Sequence, residues 1–212
     1  MNQEVSQLLK QIDLRKEELI ELTKALIRFE TPAPPARNTN EAQEFVAEFL
    51  RKRNFSIDKW DVYPNDPNVV GVKKGVESES YKSLIINGHM DVAEISTDEM
   101  WETNPFDPFI KDGWLVGRGE IFPSLEVDSN HPAIQKLSSA HEAILNKVAT
   151  LDMSATVTDG GWFSEFNIPA VIYGPGTLEE AHSINEKVEV EQLVEFTKVI
   201  IAFIYEWCHT KK

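Results

Sequence analysis

Apolar and polar residues recur along much of the chain with the period of amphipathic helices. Residues 5–29 carry apolar side chains on one face and Lys, Arg and Glu on the other, which predicts a helix. Prolines at positions 32, 34 and 35 end that helix and begin a loop. The same pattern predicts further helices at residues 40–53, 131–147 and 190–207.

Short apolar or β-branched runs between these helices predict strands. Residues 83–87, Ser-Leu-Ile-Ile-Asn, have the composition of a buried strand and end at Gly88-His89. Other strands are predicted at residues 56–62, 68–73, 154–158 and 170–173. The alternation of strands and helices predicts an α/β layered sandwich, with a mostly parallel mixed sheet flanked by helices. No internal repeat is visible, so we interpret residues 1–212 as a single domain.

The net charge of the chain argues against two classes of binding partner. The chain has 21 Lys and Arg against 35 Asp and Glu, a formal net charge of −14. Such a surface repels phosphate backbones and anionic lipid, so we expect no nucleic-acid or membrane binding. We see neither a signal peptide nor an apolar stretch near the ~20 residues of a membrane span. With one cysteine, no internal disulfide forms, and we expect a cytoplasmic protein.

Polar residues of the metal-ligand type follow three predicted strands. His89 and Asp91 follow the first, Asp159 precedes two glycines after the second, and His182 comes shortly after the third. Sites in open α/β sheets form beyond the carboxyl ends of strands. Because imidazole nitrogens and carboxylate oxygens are zinc ligands, the pattern suggests a metal site at this edge. A carboxylate two residues after His89 is suitably placed to orient a ligating imidazole.

Each of these residues also has a purely structural interpretation. His89 and Asp91 fit an ordinary turn, Asp159 before Gly160 is a strong turn signal, and His182 fits a surface position. For the remaining histidines the structural interpretation is preferred; they are His131, His141 and His209.

The combination of motifs is more specific than its parts. In order, the chain has Asn-Gly-His-Met-Asp-Val at 87–92, Asp-Gly-Trp-Leu-Val-Gly-Arg-Gly at 112–119, Thr-Asp-Gly-Gly at 158–161 and Ala-His-Ser-Ile-Asn-Glu at 181–186. This series resembles the family of acetylornithine deacetylase, succinyl-diaminopimelate desuccinylase and aminoacylase, over nearly the whole chain. The resemblance implies a zinc-peptidase-like fold and metal-dependent hydrolysis of amide bonds in N-acylated amino acids or small peptides.

The resemblance also implies individual roles. His89 matches a ligand of one zinc, with Asp91 orienting it, and His182 matches the imidazole ligand of a second zinc. Asp159 matches a turn close to the substrate. Two zinc ions are expected in such a site, with cobalt or manganese as possible substitutes. The metals polarise the amide carbonyl and activate a water, and a glutamate takes the proton.

The resemblance fails after Gly119. The family continues there with a metal-bridging aspartate and later a Glu-Glu pair that supplies the general base, whereas this chain continues Glu-Ile-Phe-Pro at 120–123. We therefore predict an internal deletion at about residues 119–120 that also removes the lid domain, so lid-mediated dimers are not expected. Glu120 and Glu126 are the first candidates for a substitute carboxylate. The alternative function is an inactive truncated remnant that binds at most one metal weakly.

Overall fold

The computed structural model describes residues 3–33, 38–75, 80–93, 95, 101–118, 127–152, 160, 163, 166, 168–177, 180–181 and 183–211. The helices of these residues are α1 (Gln3–Leu14), α2 (Lys16–Ile27), α3 (Asn40–Arg51), α4 (Pro132–Leu145) and α5 (Val190–Cys208). The strands are β1 (Pro32–Ala33), β2 (Ser56–Tyr63), β3 (Asp66–Val72), β4 (Val92–Ala93), β5 (Phe109–Lys111), β6 (Trp114–Val116) and β7 (Lys187–Glu189).

The helices predicted from apolar periodicity are confirmed, with one difference. The first predicted helix is broken at Arg15, whose φ of −110° and ψ of 17° leave the helical region. The break separates two apolar faces that belong to different clusters. Val5 of α1 packs with residues of α4 and α5, whereas Ile20 of α2 packs with Leu115 and Val190.

Helix α4 is delimited by side chains that suit its ends. His131 accepts a hydrogen bond from the backbone N–H of Ala133 at 3.2 Å, and Pro132 occupies the first helical turn. Asn146 ends the helix in the left-handed conformation at φ 53°. The helix then packs against α5, and its buried Leu137 and Ala140 join Val199, Ala202 and Phe203 in the main cluster.

The predicted mostly parallel sheet is wrong for the described part of the chain. Strands β2 and β3 form an antiparallel hairpin, and β5, β6 and β7 form an antiparallel sheet in that order. Parallel pairing is found there between β1 and β4, each of two residues. The described residues therefore form a mixed α/β fold with small, mainly antiparallel sheets.

The prediction of a mostly parallel sheet failed because two apolar segments do not form the strands expected of them. Residues 83–87 and 170–173 were predicted as buried strands, but the structure assigns neither of them to a strand. Each contacts the helical cluster on one side, through Leu84 and Tyr173. Ile86 and Ile172 are exposed, so the second apolar layer that a buried parallel strand requires is not found among the described residues. The strand predicted at 154–158 lies outside the described residues.

The three-stranded sheet joins distant parts of the sequence. Strand β6 pairs with β7, with Leu115 opposite Val188, and the backbone N–H of Gly117 donates to Glu186 O at 2.9 Å. Residues before position 119 are thereby fixed directly to the segment that leads into α5. Among the described helices, none combines the length and apolar composition that a membrane span requires.

Candidate functional site

His89 and Asp91 form a local pair in the segment that follows residues 83–87. The Nδ1 atom of His89 lies 3.2 Å from Oδ1 of Asp91 and 2.9 Å from the backbone oxygen of Asp91. Both side chains are partly buried. Because both contacts are to oxygen acceptors, they favour the tautomer in which Nδ1 carries the proton and Nε2 carries the lone pair.

The segment that carries this pair is fixed by a buried threonine. Thr31 Oγ1 donates to the backbone oxygen of Met90 at 2.5 Å, and the backbone N–H of Val92 donates to Thr31 O at 2.9 Å. The pairing of β1 with β4 continues these contacts, with Pro32 opposite Val92. The backbone on both sides of Asp91 is therefore attached to the segment after α2, which holds the pair in place.

A second part of the candidate site is the turn at residues 183–186. The backbone N–H of Glu186 donates to Ser183 O at 3.2 Å, and Asn185 adopts the left-handed conformation at φ 61°. Oδ1 of Asn185 accepts a hydrogen bond from the backbone N–H of Glu102 at 3.1 Å. Together with the bond from Gly117 to Glu186, this contact attaches the turn to residues 102–117. The turn directly follows position 182 in the sequence.

Arg118 lies beside this turn and is deeply buried. It is 4% exposed, and its guanidinium carbon lies 6.0 Å from the ring centroid of Trp101. Its backbone N–H donates to Pro105 O at 3.0 Å. A buried guanidinium needs compensating contacts, and the face of an indole ring offers one. The side chain therefore holds the loop at 101–108 against the end of β6.

The sequence-predicted site residues have different outcomes. His89 and Asp91 are in contact, whereas Asp159 and His182 lie outside the described residues, as do Glu120 and Glu126. Convergence of all four site residues at one edge of a sheet stays a prediction. Within the part of the chain that the structure describes, no group of three or more His, Cys, Asp and Glu side chains is arranged to hold a metal ion.

The other histidines make structural contacts. His131 caps α4, His209 Nδ1 lies 2.7 Å from the backbone oxygen of Tyr205, and His141 Nδ1 lies 2.8 Å from the hydroxyl of Tyr173. Burial raises the pKa of Tyr173 above its usual value, and the negative charge of Glu195 acts in the same direction. These contacts agree with the structural interpretation of the three histidines.

The sequence interpretation missed the roles of Asn185 and Arg118. Both stand inside quoted motifs, but no individual function was assigned to them. A signal for Asn185 did exist, because asparagine is favoured at left-handed turn positions and can bond to neighbouring backbone groups. No comparable signal marks Arg118, since its burial depends on the distant Trp101.

The chain is similar in sequence to several known proteins. The sequence model of peptidase family M20/M25/M40 matches residues 120–206. N-formyl-4-amino-5-aminomethyl-2-methylpyrimidine deformylase of Bacillus subtilis is 28% identical over 424 positions, with 100% of each chain covered. The protein of the same name from Halalkalibacterium halodurans is 24% identical, with 98% of each chain covered. Succinyl-diaminopimelate desuccinylase of Polynucleobacter necessarius is 28% identical over 147 residues, 66% of this chain and 38% of its own.

The lengths of these alignments carry further information. The comparison with the Bacillus subtilis protein extends over 424 positions, of which this chain of 212 residues fills at most half. Because the comparison covers both chains completely, the unfilled positions lie between matched segments. The match to the family model begins at residue 120, the position at which the motif series departs from the family pattern.

Proposed function

We propose that the chain is an amide hydrolase of small N-acylated amines, because the model of peptidase family M20/M25/M40 matches residues 120–206 and similar proteins include two deformylases and a desuccinylase. The extent of the matches favours an N-formyl amine, since the two deformylases match 100% and 98% of this chain and the desuccinylase matches 66%. A formylated aminomethylpyrimidine is therefore the first substrate to test. This replaces the acetylated amino acids suggested by the resemblance to acetylornithine deacetylase.

The observation that carries the proposal is the contact between His89 and Asp91. A ligating imidazole usually donates its second N–H to a carboxylate or carbonyl, which fixes the tautomer and raises the basicity of the other nitrogen. Asp91 offers both acceptors to Nδ1, at 3.2 Å and 2.9 Å. In the proposed site Nε2 of His89 is the metal-binding atom and Asp91 is a positioning residue. His182 is proposed as a second ligand and Asp159 as a substrate contact.

Family members are metal-dependent, and a divalent cation such as zinc supplies polarisation of the amide carbonyl and activation of a water when it is bound. The His89–Asp91 pair fits one ligand position of such a centre. The described residues do not complete the ligand set, because no group of three ligand-type side chains is found among them. In this proposal Asp91 orients the ring of His89 so that Nε2 is available to a metal. Thr31 anchors the segment that carries both residues.

A second candidate function, a remnant without catalytic activity, is favoured by the missing ligands. The chain fills at most half of the positions in its alignment with a deformylase, and residues 120–158 contain no adjacent pair of glutamates. In this interpretation the deletion at about 119–120 has removed the general base and further metal ligands together with the lid. The chain then folds and binds at most one metal ion weakly.

One experiment separates the two functions. The 212-residue chain is loaded with zinc, cobalt or manganese and incubated with the N-formyl aminomethylpyrimidine, and formate release is measured. An N-acetyl amino acid and an N-succinyl amino acid serve as alternative substrates, for which release of acetate or succinate is measured. Formate release that is abolished by His89→Ala supports the amide hydrolase. Absence of turnover with every substrate and metal, in a folded chain, establishes the remnant.

The proposed cellular location and the expected absence of some partners rest on composition. An acidic chain with a single cysteine suits the cytoplasm. The charge of −14 argues against nucleic acid and anionic membranes as partners.

A further inference from the structure

Strand β2 has a long edge that no other strand of the described residues covers. The strand runs from Ser56 to Tyr63 and pairs on one side with β3, so that the two form an antiparallel hairpin. None of the other described strands joins this hairpin. The backbone groups on the second side of β2 are therefore available to a further strand, because an uncovered edge is a template for pairing.

The two faces of the hairpin have different surroundings. Helix α3 covers one face, where Nζ of Lys59 lies 2.7 Å from Oε2 of Glu44 and a Cβ atom at Gly71 would lie 2.8 Å from Cδ1 of Leu50. Side chains alternate between the faces along a strand, so Trp60 lies on the opposite face. Its side chain is 44% exposed there. A neighbouring strand would therefore meet a face covered by α3 and an exposed face that carries Trp60.

Of the two strands of the hairpin, β2 is the better suited to accept a neighbour. Strand β3 contains Pro67, which has no backbone N–H to donate, and Gly71, which has no side chain to pack. The eight residues of β2 include neither residue type. They do include Asp58, Lys59 and Asp61, and charges on an edge strand normally oppose pairing. The positions of these charges therefore decide which pairing is permitted.

A second copy of β2 can pair with the first in few antiparallel registers. Two residues that face each other must both direct their backbone groups toward the partner or both away from it, so the pairing is centred on one residue. If the centre is Asp58, Lys59 or Asp61, identical charges lie opposite each other, which is destabilising. If the centre is Trp60, Lys59 of each copy lies opposite Asp61 of the other. The charges thus favour one register among the four in the middle of the strand.

The side chains of this register can satisfy each other. A lysine ammonium has three donors, and Lys59 uses two of them on Glu44 Oε2 at 2.7 Å and Asn40 Oδ1 at 3.3 Å. Asp61 is exposed and forms no ion pair within the part of the chain that the structure describes. Its carboxylate can therefore accept the third N–H of Lys59 from a second copy. Trp60 lies opposite its own copy, and cross-strand aromatic pairs are stabilising.

The helices leave room for this arrangement. Helix α3 packs mainly against β3, the strand farther from the second copy. In a sheet of two hairpins joined through β2, the two β3 strands are three strand spacings apart, roughly 14 Å, whereas packed helices need only ~8–10 Å between their axes. The net charge of −14 on each copy opposes association, but physiological salt screens charges beyond ~8 Å. Short-range pairing can therefore outweigh the repulsion.

We propose that β2 is a dimerisation edge. Two copies of this chain pair antiparallel through β2, centred on Trp60, with Lys59 of each copy opposite Asp61 of the other. The two hairpins then form one four-stranded sheet. Because the contact is a single strand edge, and the bulge near Val62 ends the regular pairing, the dimer dissociates on dilution. The inference is independent of the proposed hydrolysis.

Sedimentation velocity of the 212-residue chain at physiological salt, over a range of protein concentrations, tests the proposal. The parent chain is expected to change from monomer to dimer as the concentration rises. Asp61→Lys should weaken the dimer at least tenfold, because it places a second cation opposite Lys59. Asp58→Lys is the matched control: it makes the same change of charge on the same strand, but position 58 faces neither Lys59 nor Asp61 of the second copy. It should not weaken the dimer.

A mixture of variants tests the pairing itself. Lys59→Asp should also prevent self-association, because it places an acidic side chain opposite Asp61. An equimolar mixture of Lys59→Asp and Asp61→Lys should form a mixed dimer, since both contacts then join opposite charges. Circular dichroism checks that each variant is folded, because Lys59→Asp also removes the contact with Glu44.

Disulfide cross-linking in a Cys208→Ala background reports the register without any change to Lys59. Trp60→Cys should form an intermolecular disulfide, because residues directly opposite each other have Cα atoms only ~4.5–5.5 Å apart. Asp58→Cys should not, because in this register the two copies of position 58 are four residues, roughly 13 Å, apart along the sheet.

Four results would overturn the proposal. The first is a parent chain that stays monomeric at its highest soluble concentration, and the second is a dimer that Asp61→Lys leaves intact. The third is a mixture of the two folded single variants that forms no mixed dimer. The fourth is a cross-link that forms faster at position 58 than at position 60, which would assign another register.

Discussion

The side chain of Asn185 accepts a hydrogen bond from the backbone N–H of Glu102, with 3.1 Å between the two atoms. The contact connects a turn of the last quarter of the chain to the loop that precedes β5. Asn185 makes it from a left-handed backbone conformation, at φ 61°, that few other residue types adopt without strain. Backbone geometry and side-chain chemistry therefore act together at this one position.

Substitutions at Asn185 should separate those two contributions. Asn185→Asp keeps an oxygen acceptor and tolerates the left-handed conformation, so we expect little change in the free energy of unfolding. Asn185→Gly keeps only the backbone freedom and should lose about 1 kcal/mol. Asn185→Ala loses both and should cost about 2 kcal/mol. Urea unfolding of the three variants measures the order, and equal values for Asp and Ala would contradict the role of the hydrogen bond.

Gly117 should not tolerate a larger side chain. A Cβ atom at this position would lie 2.8 Å from Cγ2 of Ile27 and 3.4 Å from the backbone oxygen of Pro105. We expect Gly117→Ala to destabilise the fold by about 1–3 kcal/mol through overpacking. Gly75→Ala is the control, since nothing lies within 4 Å of a Cβ atom there. Thermal unfolding should show a lower Tm for the first variant and an unchanged or higher Tm for the second.

Zinc binding should be weak and should depend on His89. His89 with its positioning carboxylate is only part of a usual zinc ligand set, and the described residues do not complete that set. His89→Ala should abolish detectable binding, and Asp91→Asn should weaken it by about 10–100-fold because the tautomer is no longer fixed. Isothermal titration with zinc measures both effects. His209→Ala is the control and should not change the affinity, because Nδ1 of His209 lies 2.7 Å from the backbone oxygen of Tyr205 in α5. Equal losses of affinity in all three variants would exclude His89 as a zinc ligand.

Turnover of the isolated chain should be far below that of a complete relative. Removal of a general base alone costs about 10²–10⁴-fold, and the losses of base and ligands act on one catalytic unit and do not add. We therefore expect formate release at least about 10²-fold slower than by the Bacillus subtilis deformylase under the same conditions. Turnover near the typical ~10 per second would show that another carboxylate replaces the base. Glu120→Gln and Glu126→Gln would then identify it.

Burial of Tyr173 should make the stability of the fold depend on pH in the alkaline range. Burial raises the pKa of Tyr173 above its ordinary value of 10.0 in the folded state. The unfolded chain therefore loses the phenolic proton first as pH rises, and the native state loses stability from about pH 10 upward. Tyr173→Phe should be less stable than the parent by about 1 kcal/mol at pH 7. The difference should shrink between pH 9 and pH 11, as measured by urea unfolding at each pH; a difference that grows would contradict the assigned shift.

The local elements could be predicted from the sequence, but their assembly could not. Apolar periodicity is a local signal, and it located α3, α4 and α5 to within a few residues. The hairpin of β5 and β6 also had a local signal, because Asp112 and Gly113 both adopt positive φ, at 52° and 86°, as Asp-Gly pairs do in tight hairpin turns. The order of strands in the sheet could not be predicted, because Leu115 pairs with Val188, a residue far away in the sequence.

In the candidate site, too, local contacts could be predicted from the sequence and long-range contacts could not. The proximity of His89 to Asp91 follows from a spacing of two residues and was predictable. The support from Thr31 and the docking of Asn185 on Glu102 link residues 59 and 83 positions apart, and no periodicity in the sequence reports such links. The runs at 83–87 and 170–173 were interpreted as buried strands because continuous apolar runs are typical of strands covered on both faces. The described part of the chain does not provide the second apolar layer that such strands require.

The pairing of β6 with β7 encloses a loop of roughly 70 residues between Val116 and Lys187. The entropy lost on closing a loop rises only with the logarithm of its length, by about 0.6 kcal/mol for each doubling. Enlarging this loop fourfold, by a block the size of the unfilled alignment positions, would therefore cost the closure of the sheet only about 1 kcal/mol. Evolution can thus gain or lose an entire block at this point while the strands on either side keep the same partners. The free energy of pairing between β6 and β7 is therefore nearly independent of the length of chain that connects them.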